Sequence, residues 1–285
     1  MDGPGIRTTV FLKGCPLNCK WCHNPESQLL KNQLAYNLDA CVNCLKCVNV
    51  CPLGCHKVKD GEHFFDNTSC VGCAKCLSIT CTALTIYGKD ISPDEILDEV
   101  LKDKDYYDAS GGGLTLSGGE PLLQADFCLE LLQKAKQKGL NTCIETCGFT
   151  PQTVLEKTLG LVDLYLFDYK ETNPLLHSDF TGKDNYLILK NLKFLDDNGK
   201  KITLRCPIIP TFNDRQEHFK GIGELANSLN NLTEVVIEPY NALGVQKYAK
   251  LGRGYQLNVQ PPTEDEVLGY VKSVQKYTNK KVIKL

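Results

Sequence analysis

The sequence predicts an α/β fold in which six strand–helix units form an open barrel, interrupted by a small, cysteine-rich α+β insert. Short apolar runs alternate with amphipathic segments of about ten to fifteen residues, the pattern of parallel strands joined by helices. Six units are too few for a closed eight-stranded barrel, so we expect a partial one. The alternation stops between residues 36 and 88, where closely spaced cysteines replace it.

The predicted strands and helices of the barrel follow in order along the chain. An apolar run at residues 8–12 predicts the first strand. Ser92 followed by Pro93 predicts a helix start, because serine caps helix N-termini and proline is tolerated at the first helical position. Further strands are predicted at residues 114–116, 141–146, 162–168, 202–209 and 234–238, and further helices at residues 127–138, 187–198, 218–229 and 263–277. Functional side chains are expected where these strands end.

The composition excludes several classes of protein. The chain has 285 residues and a formal net charge of −2, so no surface for nucleic acid is expected. It has neither an apolar run long enough to cross a membrane nor a basic-then-apolar leader, so we expect a cytoplasmic protein without membrane contact. Sixteen cysteines would suit a secreted disulfide scaffold, but their clustered spacing favours metal ligands in a reducing, anaerobic setting.

A loop directly after the first predicted strand carries Cys15, Cys19 and Cys22 in C-x3-C-x2-C spacing. Structural zinc usually takes four protein ligands in paired sets. A 4Fe–4S cluster also takes four, so three cysteines leave one iron open to an external ligand. The spacing favours such a cluster over zinc and over three merely buried thiols.

The insert, predicted at residues 36–88, separates residues 1–35 from residues 89–285 and carries two ferredoxin-like cysteine runs. The first run ends in Cys51-Pro52, as in bacterial ferredoxins. The second departs from that pattern, because four residues precede Cys81 and Thr82 follows it.

In two-cluster ferredoxins the fourth cysteine of each run binds the other cluster. One predicted 4Fe–4S cluster therefore has as ligands Cys41, Cys44, Cys47 and Cys81, and the other has Cys51, Cys70, Cys73 and Cys76. Cys55 is surplus and could substitute for a neighbour. Two zinc ribbons are the alternative. The expected role of the insert is electron transfer to the first cluster, or docking of a reductant or partner.

The cysteine trio and its flanks resemble the glycyl-radical enzyme activating enzymes of the radical S-adenosylmethionine (SAM) superfamily. The resemblance rests on DGPGIRTT at residues 2–9, on the trio, and on WCHNP at residues 21–25. It implies a partial (β/α)6 radical-SAM barrel with a bacterial-ferredoxin-like insert. It also implies that the trio holds a 4Fe–4S cluster whose open iron binds the amino and carboxylate groups of SAM.

Further SAM contacts are implied by position within this family. The Gly118-Gly119-Glu120 motif matches the contact to the SAM amino group, and Lys170 matches the contact to its carboxylate. Arg205 is expected to face the barrel interior, with SAM or Asp168 as its partner. The full set of predicted cofactor-binding residues is Trp21, Cys22, His23, Gly118, Gly119, Glu120, Glu145, Asp168, Tyr169, Lys170, Arg205 and Asn241.

A monovalent cation is a further cofactor that the resemblance allows. The chain resembles the pyruvate formate-lyase activating enzyme nearly throughout. The positions in that enzyme that match Glu145, Thr146, the Leu166 carbonyl and Asp168 hold such a cation. Glu145 departs from the pattern, because that enzyme has the shorter aspartate there.

The expected function is activation of a partner glycyl-radical enzyme. The reduced cluster would cleave SAM to methionine and a 5′-deoxyadenosyl radical, which takes a hydrogen atom from a backbone glycine of the partner. An electron donor such as flavodoxin or ferredoxin would supply the electron. Residues 2–7 are expected to form part of the docking surface. Two alternatives are a radical SAM enzyme acting on a small molecule and an iron–sulfur electron carrier.

Overall fold

The structure is a computed structural model that describes residues 2–285. Its strands are β1 (Arg7–Leu12), β2 (Gln33–Tyr36), β3 (His56–Lys59), β4 (Glu62–Phe65), β5 (Leu84–Tyr87), β6 (Gly113–Gly118), β7 (Asn141–Thr146), β8 (Leu164–Asp168), β9 (Ile202–Ile208), β10 (Leu232–Pro239) and β11 (Val282–Lys284). Its helices are α1 (Lys46–Val50), α2 (Pro93–Leu101), α3 (Lys104–Ser110), α4 (Ala125–Gln137), α5 (Gln152–Thr158), α6 (Pro174–Thr181), α7 (Tyr186–Asp197), α8 (Gln216–Ser228), α9 (Val245–Lys250) and α10 (Glu264–Gln275).

Seven parallel strands form the main sheet, in the order β1-β6-β7-β8-β9-β10-β11. Six of them are the strands predicted from the sequence. The seventh, β11, pairs with β10 through Val235 and Val282, and its three residues are too few to show a strand pattern. Because β1 and β11 are the two edges, the barrel is open, as the sequence predicts.

Alternation along the strands separates the hydrophobic core from the barrel interior. Leu114, Leu116 and Phe167 are fully buried in the core beneath the helices. The same holds for Leu204 and Cys206 on β9. Since successive side chains of a strand point to opposite faces, Arg205 between them faces the interior.

The long helices begin and end where the sequence predicts, within a few residues. Ser92 and Thr263 form capping boxes at the starts of α2 and α10. Gly139, with φ 74°, follows α4 in the left-handed conformation typical of a helix end. The sequence did not predict α3, α5, α6 and α9, because eight or fewer residues show no clear helical period. In residues 2–285 no helix has both the length and the apolar character needed to cross a membrane.

The insert is closed at its base by the antiparallel pair of β2 and β5, with Gln33 opposite Tyr87. Within it, β3 and β4 form a hairpin. Leu45 and Ala74, both left-handed with φ 57° and 58°, each precede one short helical turn inside a cysteine run. The two runs therefore have the same local conformation, as expected of a pseudo-repeat.

Candidate active site

The carboxyl ends of the barrel strands surround a cavity of about 340 Å³. The loop after β1 closes one side of it, and the ends of β6 to β10 form the rest. Most of the site residues predicted from the sequence line this cavity. They are Cys15, Cys19, Trp21, Cys22, His23, Gly118, Gly119, Glu145, Asp168, Lys170, Arg205 and Asn241.

The cysteine loop is held in place by backbone hydrogen bonds to the barrel. Gly14, at φ 96°, turns the chain out of β1, and its N–H donates to the Ser27 carbonyl at 2.7 Å. The N–H of Asn18 donates to the Thr181 carbonyl, also at 2.7 Å. These bonds fix the loop that carries all three thiols.

The three thiols of this loop face one cavity in a largely buried setting. Burial raises the pKa of Cys15 and Cys19 to about 12 each, and it also raises the pKa of Cys22. A thiol in such a setting loses its proton only when a cation takes its place, because metal ligation requires the thiolate. Three cysteine ligands and one open position fit a 4Fe–4S cluster with an external ligand.

The end of β6 lies against the cysteine loop with no room for side chains. The N–H of Gly119 donates to the Leu12 carbonyl at 3.0 Å, and the N–H of Glu120 donates to the Gly14 carbonyl at 2.8 Å. Gly118 has φ 120°, and a Cβ at either glycine would overlap backbone oxygen atoms. Glycine is therefore required at both positions.

The Glu120 side chain points away from the cavity and is fully buried. Its carboxylate accepts hydrogen bonds from Thr146 Oγ1 at 2.8 Å, Cys147 N at 2.9 Å and Leu122 N at 3.2 Å. Burial raises its pKa, although these donors oppose the shift. Glu120 thus joins the ends of β6 and β7 below the cavity, whereas the sequence had placed it among the SAM contacts.

Five charged side chains meet in the cavity. Lys170 Nζ lies 2.9 Å from Asp168 Oδ2, Arg205 Nη1 lies 2.9 Å from Glu145 Oε2, and Arg205 Nε lies 2.5 Å from Glu238 Oε1. Three carboxylates thus face two cations, so the group has one net negative charge when all five are ionised. Within residues 2–285, Asp168 Oδ1 and Arg205 Nη1 are buried without a well-aligned hydrogen-bond partner, so the cavity offers both an acceptor and a donor to a polar ligand, and its net negative charge favours a ligand that carries a positive charge.

The electrostatics of the group follow from burial opposed by neighbouring charge. Burial disfavours the charged form of Lys170, but Asp168 together with the thiols of Cys19 and Cys147 outweighs it, so the pKa of Lys170 is well above its ordinary value. Arg205 behaves likewise between its carboxylates, and its pKa is raised. Burial raises the pKa of Glu145 and Glu238 despite the guanidinium beside them.

Two of the groups that the resemblance assigns to a monovalent cation make other contacts within the protein. The Thr146 hydroxyl donates to Glu120, on the far side from the cavity. Glu145 accepts from Ser117 Oγ at 3.0 Å and faces Arg205. The positive charge beside Glu145 and Asp168 is therefore the guanidinium of Arg205, which lies 3.7 Å from Asp168 Oδ1.

Two smaller cavities lie in the insert, each of about 20 Å³. We call them the first and second insert cavities. The cysteines that line the first are Cys41, Cys44, Cys47 and Cys81. Those that line the second are Cys51, Cys55, Cys70, Cys73 and Cys76. Each cavity thus has four cysteines of one predicted ligand set, with Cys55 added to the second.

The sequence is similar to those of several characterised proteins. A family model described as a 4Fe–4S single cluster domain matches residues 1–189. The choline trimethylamine-lyase activating enzyme of Oleidesulfovibrio alaskensis is 39% identical, over 97% of this chain and 92% of its own length. The (2S)-3-sulfopropanediol sulfolyase activating enzyme of Bilophila wadsworthia is 42% identical, over 90% of this chain and 86% of its own length. The benzylsuccinate synthase activating enzyme of Thauera aromatica is 40% identical, over 88% of this chain and 78% of its own length.

The chain belongs to the glycyl-radical enzyme activating enzymes. These are radical SAM enzymes that act on a protein partner, a glycyl-radical enzyme, and they use SAM and an iron–sulfur cluster. The residues and motifs quoted above therefore identified the family correctly from the sequence.

Solved structures agree with the fold of this activating enzyme. A domain of a pyruvate-formate lyase-activating enzyme from Bacteroides vulgatus matches with a TM-score of 0.52 and 23% identity, over 61% of this chain and 99% of that domain. Streptococcus suis SuiB bound to its precursor peptide matches with a TM-score of 0.59 and 12% identity, over 99% of this chain and 49% of SuiB. At these identities the matches support the radical-SAM fold alone.

Two other predicted cofactor-binding residues, Tyr169 and Trp21, pack against aromatic rings in this activating enzyme, and a third, His23, lines the cavity. Tyr169 is buried beside the His218 ring, 5.8 Å away, and lies outside the cavity lining. Trp21 lines the cavity and packs edge-on against Phe180, 5.8 Å away. His23 lines the cavity and remains exposed; desolvation by the surrounding protein lowers its pKa, and the backbone of Asn241 opposes that shift.

Sequence reasoning missed several residues of the cavity. Glu238 completes the group of carboxylates around Arg205, and Ser117 hydrogen-bonds Glu145. The available signal was strand alternation, because Ser117 and Glu238 are the inward-facing residues near the ends of β6 and β10. Gln28 and Cys147 also line the cavity, but they lie in loops where no periodic pattern indicates direction.

Proposed function

We propose that this activating enzyme holds three 4Fe–4S clusters, one in the barrel cavity and one in each insert cavity, and binds SAM in the barrel cavity. The observation that carries this proposal is the convergence of Cys15, Cys19 and Cys22 with two closely packed glycines and five charged side chains in one cavity. The barrel then comprises residues 1–35 and 89–285, and the electron-transfer insert comprises residues 36–88.

In the barrel cavity, Cys15, Cys19 and Cys22 ligate the cluster and leave its fourth iron to the amino and carboxylate groups of SAM. When bound, the cluster supplies one electron, and SAM supplies the radical that removes a hydrogen atom from the partner's glycine. The protein's own residues bind the cluster and SAM, and they orient SAM. Lys170, charged and held by Asp168, lies where it can meet the SAM carboxylate.

The charge of the cavity complements that of SAM. Three carboxylates around two cations leave a net negative site, and the sulfonium of SAM carries a positive charge. The bare backbone at Gly118 and Gly119 lets a small polar group approach the end of β6. Asn241 and His23 line the same cavity, where they can contact SAM.

Arg205 takes the place of the monovalent cation that the resemblance allows. Its guanidinium lies among Glu145, Asp168 and Glu238 and is 11% exposed. A guanidinium held among three carboxylates compensates their negative charge, as a bound cation would, without an added ion. SAM binding in this chain is therefore independent of sodium and potassium.

The insert clusters pass electrons from a donor such as flavodoxin or ferredoxin to the barrel cluster. Each insert cavity is lined by at least four cysteines, the number of ligands that a 4Fe–4S cluster takes. Cys44 and Cys73 are exposed, so each cluster has an edge near solvent where a donor could approach.

The partner's glycine enters the barrel beside the edge strand β1. Asp2 and Phe11 line the mouth of the cavity, and Phe11 is 56% exposed. An exposed aromatic on an unpaired strand edge, next to the reacting cavity, suits contact with a partner loop. Residues 2–7 and Phe11 are thus the proposed docking surface.

The test is SAM cleavage and glycyl-radical formation by anaerobically purified protein, comparing wild type with Cys15→Ala and Cys128→Ser. Cys128 lies in the core on α4 and lines none of the three cavities, so it is the matched control. We expect Cys15→Ala to lose 5′-deoxyadenosine formation while keeping about eight of about twelve irons. Cleavage of SAM by Cys15→Ala at the wild-type rate would contradict the proposal.

A further inference from the structure

Two histidines of the insert lie between its two cavities. His56 and His63 stand on the paired strands β3 and β4, and both are buried, with 2% and 7% of their surfaces exposed. Their rings are stacked with centroids 5.1 Å apart, and His56 Nδ1 lies 2.9 Å from His63 Nε2. Neither residue belongs to a cysteine run, and the proposed function gives neither a role.

Each histidine of the pair lines a different cavity. His63 lines the first insert cavity, and His56 lines the second. One nitrogen of each ring and Cys47 Sγ all lie within 4.8 Å of one another. A single hydrogen bond between two rings therefore connects the surroundings of the two proposed clusters.

Two buried polar atoms beside the first insert cavity have no well-aligned hydrogen-bond partner among residues 2–285. They are His63 Nδ1 and the Tyr36 hydroxyl. The two rings meet edge to face, 4.7 Å apart, and both residues line this cavity. A buried donor without an acceptor is costly, so both atoms fit a site that holds an acceptor when occupied. The sulfur atoms of an iron–sulfur cluster are such acceptors, and hydrogen bonds to them change its reduction potential.

The second insert cavity has no buried tyrosine or histidine donor without a partner among residues 2–285, although the Cys55 thiol is in hydrogen-bond contact with Cys51. Besides its cysteines and His56 it is lined by Leu34, Pro52, Leu53, Val71 and Ala74. Backbone N–H groups reach sulfur at both cavities, and these contacts are Asn43 N to Cys41 Sγ (3.4 Å), Cys55 N to Cys51 Sγ (3.2 Å) and Gly72 N to Cys70 Sγ (3.4 Å). The first cavity thus has one such backbone contact and the second has two, and the Tyr36 and His63 donors are found at the first cavity.

We propose that His63 and Tyr36 donate hydrogen bonds to the cluster of the first insert cavity and raise its reduction potential. This inference rests on the proposed function, which places a cluster in each cavity. A hydrogen bond to sulfur stabilises the reduced cluster more than the oxidised one, because the reduced cluster carries more negative charge.

The hydrogen bond between the rings determines which cluster receives a histidine donor. If His56 Nδ1 donates to His63 Nε2, a neutral His63 carries its own proton on Nδ1, the buried nitrogen that lacks a partner. This tautomer puts the proton on the buried His63 nitrogen that lacks a partner among residues 2–285, beside the sulfur of the first cavity, whereas His56 Nε2 is not such a buried, unpartnered atom. His56 Nε2 then carries no proton, so the second cluster receives no hydrogen bond from the pair.

The test is a redox titration followed by EPR on the complete, anaerobically purified protein, in wild type, Tyr36→Phe and His63→Phe. Tyr36→Phe removes only a hydroxyl, and His63→Phe keeps an aromatic ring in the stack. Tyr87→Phe is the matched control, since Tyr87 lies on the strand paired with β2 but lines neither insert cavity. Cys44→Ser and Cys73→Ser, exposed cysteines of the first and second cavities, assign each EPR signal to its cluster.

At the wild-type midpoint of the first-cavity cluster, Tyr36→Phe and His63→Phe should each lower the ratio of reduced to oxidised cluster about tenfold, which corresponds to 59 mV. The second-cavity cluster and the Tyr87→Phe protein should not change. Unchanged potentials, equal shifts of both clusters, or zinc bound by Cys47 and the histidines would overturn the inference. A wild-type protein with only about four irons would contradict the proposed function as well, so the two failures are distinguishable.

Discussion

Replacing Gly119 with alanine should disturb the cysteine loop without removing any proposed cluster ligand. A Cβ on Gly119 would lie 2.5 Å from the Ser27 carbonyl oxygen and closer still to that of Gly14. Real Cβ atoms essentially never approach within 3.0 Å, so the loop or the end of β6 must move by at least ~0.5 Å. Both oxygens are backbone atoms, and Glu120 N already bonds the Gly14 carbonyl at 2.8 Å, so neither can turn aside freely.

A displacement of this size matters because the cysteine loop and the β6 end form two walls of the same cavity. A misplacement of about 1 Å can cost about 100-fold in rate. Forcing an extra methyl group into packed structure costs about 1–3 kcal/mol of stability. We expect Gly119→Ala to lower the rate of SAM cleavage by about 10- to 100-fold. We also expect its free energy of unfolding to fall by about 1–3 kcal/mol.

The assay is anaerobic formation of 5′-deoxyadenosine with dithionite as reductant, normalised to iron content. Gly160→Ala is the matched control, because a Cβ there would have no heavy atom within 4 Å and the residue does not have a left-handed φ. If Gly119→Ala cleaves SAM within twofold of Gly160→Ala at equal iron content, the close approach of the β6 end to the cysteine loop does not position the site.

Three further predictions concern the charged group, a buried histidine and the insert. Arg205→Met should lower the activity by more than about 100-fold, because three carboxylates lose their buried partner, and Arg205→Lys should recover part of it. The wild-type rate of SAM cleavage should be equal in sodium, potassium and cation-free organic buffers. A requirement for either ion would contradict the role given to Arg205. Burial, Arg215 and His177 lower the pKa of His218 to about 3, so the unfolded chain takes up a proton below pH 6.5 that the folded chain does not. His218 alone should therefore lower the stability by about 1 kcal/mol between pH 6.5 and pH 5.5, and the slope should be shallower in His218→Asn, as measured by urea unfolding; identical slopes would refute this. Removing the iron should increase hydrogen exchange at residues 36–88 far more than in the barrel, because the insert has only short helical turns and two-stranded sheets of its own; uniform exchange would show that the insert folds without metal.

The sequence was sufficient to predict the parallel strands of the barrel and the grouping of functional residues at their carboxyl ends. Each predicted strand has an apolar run long enough to show a pattern, and Leu204 and Cys206 indicate which way Arg205 faces. The three-residue strand β11 has no such run, and its place is determined by pairing with β10. Its position follows from tertiary contacts rather than from local sequence.

The partners of individual charged residues were harder to predict. Glu120 follows a strand in a motif that the resemblance links to SAM, yet its carboxylate turns inward to Thr146 on the next strand. Arg205 meets Glu145 and Glu238 from strands on either side, at sequence separations that no local pattern covers. These contacts depend on how strand ends curve around the cavity, which periodicity does not describe.

The histidine pair of the insert did leave a signal in the sequence. Asp60-Gly61 between two short β-type runs predicts a tight hairpin. In such a hairpin His56 and His63 lie diagonally across the strands, since His63 is opposite Val58 and His56 is opposite Phe65. Their position between two clusters depends on the folding of both cysteine runs around the hairpin, and only the structure reveals it.

The measurement that most directly tests the account is iron and sulfide content together with EPR of the dithionite-reduced protein, with and without SAM. Three clusters require about twelve irons per chain, and SAM should change one EPR signal only, the one lost in Cys15→Ala. Zinc in place of iron, or spectra that SAM leaves unaltered, would contradict the claim that Cys15, Cys19 and Cys22 hold a cluster with an iron open to SAM.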